Sequence, residues 1–327
     1  MKALALSWSE HRRMQELCAG LGLELVVLQT RRRGALRYLV LSAATIGLLL
    51  RRRVKVLLIQ NPSLILGVLT ALLRRLFGFQ LIVDAHNEAV DPYINRQGWI
   101  RWLAYWVIRH SELTIVTNRQ LAQIIETEGG RAFVLPDRVP AAPPAASAPA
   151  LAGAFNVVLI ATYSRDEPIA AVFEAVRGSD VHLYVTGNPK KLDPLVAART
   201  PPNVHFTGFL EEEAYWALLR AADGIIDLTL MPDCLVCGAY EALAIGKPML
   251  LSGNTASVEL FGDAAAFTDN STADIRRALE ALRLRRAELS AAAVVKRGEM
   301  AQRWDAAARS LARFVAEGPV PEVATGA

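Results

Sequence analysis

Short apolar runs alternate along this chain with longer stretches in which apolar residues recur every three or four positions. The runs predict strands at Lys2–Ser7, Glu24–Leu28, Val54–Gln60, Gln80–Val83, Leu113–Val116 and Ala132–Leu135. The longer periodicity predicts helices between them at His11–Leu21, Leu64–Leu76, Ile100–His110 and Arg119–Glu128. Strands separated by helical segments of this length build a parallel, doubly wound sheet, because parallel neighbours need a crossover. No G-x-G-x-x-G follows the first run, which argues against a dinucleotide site there.

The alternation stops at residues 139–153, a Pro/Ala-rich stretch without charge that reads as an exposed interdomain linker. It then resumes with a strand at Asn156–Thr162, a helix around Val172–Val176 and strands at Val181–Gly187 and Asn203–Leu210. A helix at Glu212–Ala222, a buried strand at Gly224–Leu230, a helix at Ala239–Ile245 and a strand at Met249–Leu251 follow. Gly246-Lys247-Pro248 ends that last helix, since Gly suits the C-terminal cap and Pro cannot continue it. The Ala-rich remainder predicts a helix at Ala273–Arg286 and one or two more over Glu288–Glu317, then a frayed tail. The expected organisation is therefore an α/β domain over 1–138, the linker, a second α/β domain over 154–300 and a C-terminal helix over 301–327.

Composition narrows the class. With 327 residues, 53% hydrophobic and 21% charged, the chain is globular and long enough for two cores. Three cysteines, Cys18, Cys234 and Cys237, make no disulfide framework and point to a reducing, cytoplasmic compartment. Cys234 and Cys237 form a lone C-x-x-C without a second pair or nearby His, so no metal is expected. Met1–Trp8 reads as a first strand rather than a signal peptide.

Charge is uneven. Residues 1–138 carry 19 Lys/Arg against 10 Asp/Glu, whereas the rest of the chain is net acidic. Much of the excess flanks the apolar stretch Tyr38–Leu50, with triple arginines at 31–33 and 51–53. That stretch is too short to span a bilayer, which needs about 20 residues. It reads either as a helix lying on an anionic membrane surface or as a core helix with solvated ends. Nucleic acid is not expected, since no stacking aromatics or recognisable module accompany the arginines.

Two stretches carry candidate chemistry. The first is Met231–Leu251, where a loop leads from a buried strand into a helix at the carboxyl edge of a parallel sheet. Helix N–H groups there suit phosphate, and Asp233 and Glu241 suit sugar hydroxyls. The plain alternative is that Asp233 caps the helix and Glu241 complements its dipole. The second stretch is Val83–Pro92, in which His86 leaves a buried strand at the same kind of edge. Asp84, Asn87, Glu88 and Asp91 lie beside it, the first two suited to holding the loop and the last two to taking a proton from a hydroxyl.

The segment "CGAYEALAIGKPMLLS" resembles the donor site of retaining GT-B glycosyltransferases of family 4, in which two Glu are separated by seven residues. "DAHN" at 84–87 and "NVHFTG" at 203–208 resemble further segments of that family. The resemblance implies two Rossmann-like domains facing a cleft and metal-independent transfer of a sugar from a nucleotide diphosphate donor. It places Glu241 on the ribose, Asp233 on the transferred sugar and His86 across from it. Asp233 stands where the family has Glu, one methylene longer. Cys237, Gly238 and Ala239 at the helix start, with Gly187, Asn188, Lys190 and Gly208 in neighbouring loops, complete the implied donor set. In such proteins the last helix commonly returns to the first domain, and Trp304 is its candidate anchor.

Two departures follow. The family's Arg and Lys that neutralise the diphosphate fall on Thr162 and Glu167, leaving Arg165 as the nearest replacement and Lys190, Lys191 and Lys247 as further sources of charge. The Gly-rich acceptor loop is replaced by Trp8–Arg12, so that His11, Arg12 and Arg13 become candidates for an anionic, lipid-linked acceptor. The resemblance predicts a glycosyltransferase acting on a saccharide acceptor at the inner face of a membrane, in polysaccharide or glycolipid biosynthesis. The missing cations favour a second reading, a catalytically silent GT-B-like accessory subunit that binds nucleotide or a partner.

Overall fold

The computed structural model describes residues 3–61, 63–90, 98–144 and 147–317. The chain divides into two compact units, residues 1–138 with 302–327 and residues 139–301.

The first unit contains β1 (Ala3–Ser7), β2 (Leu25–Val27), β3 (Val56–Asn61), β4 (Gln80–Ala85), β5 (Leu113–Val116) and β6 (Ala132–Val134). They form one parallel sheet in the order β2-β1-β3-β4-β5-β6. The crossovers are α1 (Arg12–Leu21), α2 (Gly34–Arg52), α3 (Leu64–Phe77), α4 (Asn87–Val90), α5 (Gly98–Arg109) and α6 (Arg119–Thr127). Both sheet faces are covered, which is why the central strands read as unbroken apolar runs. Leu57 and Ile59 enter one core with α2, α3 and α6, while Val56 and Leu58 enter another with α1. Helix ends follow local chemistry: Ser63 and Asn118 cap α3 and α6 through Leu66 N and Leu121 N, and Gly78 ends α3 in the left-handed region.

Helix α2 runs for 19 residues, longer than its apolar stretch, so length and composition alone allow a membrane span. One face of it packs on the unit. Leu41, Thr45 and Leu49, spaced by four, are buried in the unit, and Trp8 Nε1 donates to Thr45 Oγ1 at 3.1 Å. Leu36, Tyr38, Leu39, Val40 and Leu50 remain exposed on its other sides.

The second unit contains β7 (Phe155–Leu159), β8 (Val181–Thr186), β9 (Val204–Gly208), β10 (Gly224–Asp227), β11 (Met249–Ser252) and β12 (Ala265–Thr268). Its order is β12-β11-β10-β7-β8-β9, again parallel throughout. The helices are α7 (Ile169–Val176), α8 (Pro194–Ala197), α9 (Glu212–Ala221), α10 (Cys237–Ile245), α11 (Thr255–Phe261), α12 (Thr272–Leu284) and α13 (Arg286–Glu317). From residue 302 on, α13 belongs to the first unit. There Trp304, Leu311 and Phe314 join Met14, Leu17 and Cys18 of α1 in one core.

Strand order reverses between β1 and β3 in the first unit and between β7 and β10 in the second. Ligands of open parallel sheets bind outside the carboxyl ends of strands at such points. The loops after β1, β3 and β4, and those after β7 and β10, stand at these points.

Several elements differ from expectation. The strands expected over 156–162 and 224–230 end at Leu159 and Asp227. Beyond the second of them Leu228 is buried, Leu230 is exposed, and Leu230 N donates to Asp166 O at 2.6 Å. Strand β12 was hidden by its alanines, which favour helix in isolation but here line a parallel partner. The last helix is a single one of 32 residues. Residues 139–153 are not simply exposed, since Val139, Ala142 and Leu151 pack on the core of the second unit.

Candidate functional site

In the second unit, the segment after β10 is tied to the loop after β7 and to the end of β11 and the loop that follows it. Thr229 Oγ1 donates to Asp166 Oδ2 at 2.8 Å, Thr229 N to Ser252 Oγ at 2.9 Å, and Asn254 Nδ2 to Cys234 O at 3.0 Å. These bonds satisfy loop polar groups that would otherwise be stranded beside the core, and they make the edge a defined platform.

Asp227 ends β10 inside that platform, and its Oδ2 accepts from Gly238 N at 2.8 Å. A Cβ on Gly238 would lie 2.6 Å from both Asp227 Oδ2 and Ile160 Cδ1, so only glycine fits. Burial pushes the Asp227 carboxyl well above the usual range, opposed by the Gly238 amide and reinforced by Glu167, Glu241 and Asp166. Glu241, in the second turn of α10, accepts from Tyr215 Oη at 2.5 Å, and burial together with Glu241 holds the Tyr215 phenol protonated. Asp233 lies half-buried in the β10–α10 loop with φ +51°, a left-handed conformation that Asp tolerates better than most residues.

The loop after β7 holds an acid where the family resemblance implies a cation. Glu167 accepts from Thr162 N at 3.0 and 3.1 Å, Tyr163 N at 2.8 Å and Thr162 Oγ1 at 2.5 Å. Burial and the Glu167 charge push the Tyr163 phenol up to about 12. Arg165 is exposed. Gly187 has φ +85°, and a Cβ there would meet Ala161 O at 2.1 Å, so the loops after β7 and β8 touch only through glycine.

In the first unit, His86 follows β4 and stands beside the carboxyl ends of β1 and β3. Gln60 Nε2 lies 3.2 Å from His86 Nε2, Ser7 Oγ donates to Gln60 Oε1 at 3.0 Å, and the His11 ring meets His86 edge-on at 4.8 Å. With Gln60 donating, His86 Nε2 accepts and the ring proton resides on Nδ1. Burial pulls the His86 pKa below its ordinary value; Asp84 opposes this, and Arg13 and His11 add to it. His86, Glu88 and Ala89 are among the residues that line a groove of about 620 Å³. Its walls are α2, α3 and α5, including Leu64, Val68, Leu72 and Leu103.

The structure corrects several sequence expectations. Arg13 is not available to an acceptor: it is buried in contact with Asp84, Asp137 and Leu135 O. Arg12 points along the surface to Glu16 at 3.0 Å, while His11 is exposed and makes no cap bond on α1. The Gly238 amide, expected to face phosphate, is held by Asp227. Ala239 is fully buried and its N–H donates to Val236 O, so neither its side chain nor its amide faces a ligand. Lys247 precedes β11 at the opposite, amino edge and donates to Ala222 O. Asp233 does not cap α10, whose N-cap is Val236 without a side-chain bond, and Glu241 lies beyond the first turn. Asn188 uses its side chain on Lys190 N, while Lys190 and Lys191 are exposed. Gly208, with φ +71°, turns the chain out of β9. Cys237 begins α10 at the surface, and Asp91 lies outside the described residues.

Asp227, Tyr215 and Gln60 were not singled out from sequence. For Asp227 and Gln60 the signal was a polar residue ending an apolar strand; for Tyr215 nothing local marks it. Among the described residues, no group of three or more His, Cys, Asp or Glu is arranged to hold a metal ion.

Residues 4–139 match the glycosyl transferase 4-like domain. No curated protein matches the chain in sequence. In fold, the chain is similar to HepE of Anabaena in complex with UDP and glucose, at 14% identity and TM-score 0.75, covering 97% of this chain and 100% of that one. It is also similar to sucrose-phosphate synthase from Thermosynechococcus elongatus, at 14% identity and TM-score 0.74, covering 97% and 99%. A glycosyltransferase from Rickettsia africae matches at 8% identity and TM-score 0.66, covering 97% and 91%.

Proposed function

We propose that this chain, whose residues 4–139 match a glycosyl transferase 4-like domain and whose fold is similar to that of HepE, is a GT-B glycosyltransferase that carries out a retaining transfer, without metal, from a nucleotide diphosphate sugar to a lipid-linked saccharide. HepE, similar in fold, is described with UDP-glucose, which supports a donor of that class here. Glu241, positioned by Tyr215, takes the ribose, and Asp233 takes the transferred sugar. Gly187, Gly208 and Cys237 line the donor's approach, with Asn188 and Lys190 beside them. Arg165 supplies charge to the leaving diphosphate, the kind of electrostatic help that is commonly the largest catalytic term. His86, with His11 beside it, binds sugar or phosphate.

The observation that carries the acceptor class is the largely apolar groove that His86 and Glu88 also line. A polar head at those residues leaves an apolar tail along α3 and α5. Exposed Leu39, Leu72 and Leu76, with arginines 31–33 and 51–53 around α2, support contact with an anionic membrane at its inner face. Polysaccharide or glycolipid assembly is the setting that uses such an acceptor.

The test is thermal-shift binding of UDP, GDP, ADP and their sugars to wild type and Glu241→Ala. A ligand that binds the folded state raises the midpoint by mass action. Stabilisation by one base, lost in Glu241→Ala, is the expected result. No stabilisation of the folded wild type by any of them sinks the donor reading. It would leave the accessory-subunit reading, which the acid at Glu167 favours.

A further inference from the structure

The turn after β7 is built to hold an anion, and it already holds one. The amides of Thr162 and Tyr163 point the same way, and Tyr163 has φ +60°, the left-handed step that makes successive N–H groups converge. Such paired amides form a concavity that suits carboxylate or phosphate oxygens. The turn sits where strand order reverses, so a donor's phosphate and Glu167 compete for the same amides. Both Glu167 oxygens are engaged, Oε1 by Thr162 N and Oγ1 and Oε2 by Thr162 N and Tyr163 N.

The surroundings sharpen the competition. Asp166, next in chain, accepts from Ser164 Oγ at 2.5 Å and Thr229 Oγ1 at 2.8 Å. Asp166, Glu167 and Glu241 all act on the Asp227 carboxyl, so their charges share one small region. A diphosphate added to this edge with Glu167 in place would meet concentrated like charge in partly desolvated surroundings. Moving Glu167 out removes one charge and frees two amides together.

We propose that Glu167 is an internal occupant of the phosphate position, and that a nucleoside diphosphate donor binds by displacing its carboxylate from the Thr162 and Tyr163 amides. This rests on the nucleotide-donor reading above. Glu167 then sets selectivity: the base and ribose are bound at full strength, whereas each phosphate is discounted by the carboxylate it must replace. Free nucleoside diphosphate, the product, is held weakly for the same reason.

The experiment is titration calorimetry on the full chain, wild type and Glu167→Gln, Glu167→Ala and Glu167→Lys. The probes are uridine, guanosine and adenosine, their diphosphates, and inorganic pyrophosphate. Circular dichroism melts establish that each variant is folded, and Glu167→Gln guards against a loop collapse because it keeps an oxygen for the amides. We expect diphosphate and pyrophosphate affinity to rise at least about tenfold in Gln and Ala and further in Lys, with nucleoside affinity unchanged. Wild-type diphosphate binding that is equal to or tighter than that of the folded variants overturns the inference and leaves the donor reading standing. A gain that appears equally for nucleosides also overturns it, since Glu167 would then act on the whole pocket. No binding of any probe by any variant overturns both.

Discussion

Arg13 and Asp84, 71 residues apart in sequence, meet in the interior of the first unit, with Arg13 Nε and Nη2 at 3.0 and 2.8 Å from Asp84 Oδ1. Burial works against the Arg13 charge, but Asp84 and Asp137 outweigh it and hold the guanidinium's pKa above its ordinary value. The pair fixes α1 to β4 at Asp84, two residues before His86. Removing one partner leaves a buried charge unpaired, so Arg13→Ala or Asp84→Ala is expected to cost about 3–5 kcal/mol. Replacing both by apolar residues should cost clearly less than the two single losses added. Urea unfolding midpoints across the four proteins measure this, and strict additivity would refute the coupling.

Gly238→Ala tests the close approach at the start of α10. The added carbon would lie 2.6 Å from Asp227 Oδ2, so the helix start or the carboxyl must shift. The expected loss is about 1–3 kcal/mol, with weaker nucleotide binding than in wild type. A variant as stable as wild type in thermal melts would show that this contact relaxes freely.

Asp227→Asn should stabilise the protein at neutral pH. The Asp227 pKa is raised in the folded chain, so the unfolded chain gives up its proton first. The stability tied to this group is therefore full below the ordinary 3.8 and declines as pH rises above it. Asn keeps an oxygen for the Gly238 amide without the charge. The gap in melting temperature between Asp227→Asn and wild type is expected to widen from pH 4 to pH 7, and a constant gap would contradict the assignment.

His86 gives the opposite pH dependence. Its pKa is lowered on folding, so the unfolded chain binds the proton first. Stability is full above the ordinary 6.5 and falls as pH drops through and below it. Melts between pH 8 and pH 5 should fall more steeply for wild type than for His86→Gln. Parallel curves would mean that His86 is charged equally in both states.

Trp304 anchors the end of α13 in the first unit. Its ring occupies the space over Gly20, with Cη2 2.4 Å from where a Cβ would stand, and the Arg138 guanidinium lies 4.8 Å from its centre. Trp304→Ala is expected to cost about 3–5 kcal/mol, and Gly20→Ala a smaller amount through overpacking. Denaturant titration followed by fluorescence and circular dichroism compares them.

Period and punctuation along the chain determined the two parallel α/β units and nearly every helix, because apolar spacing reports directly which faces are buried. The stretch around Gly238 and Glu241 was legible for the same reason: the helix start, the terminal Gly246 and the acids are all local. Tertiary structure alone decided what those groups touch. Arg13 and Arg12 are neighbours of the same chemistry, yet one is buried by Asp84 from 71 positions away and the other lies along the surface with Glu16. Lys247 and Lys190 are both near motif residues, but strand direction sends the first to the amino edge and the second to the carboxyl edge. Glu167 could be counted as an acid where a cation was expected, but its grip on two amides needed the fold of a nine-residue turn over 160–168. Side-chain partners of this kind depend on distances between segments that no local pattern encodes, and they are settled only when the sheets bring those segments together.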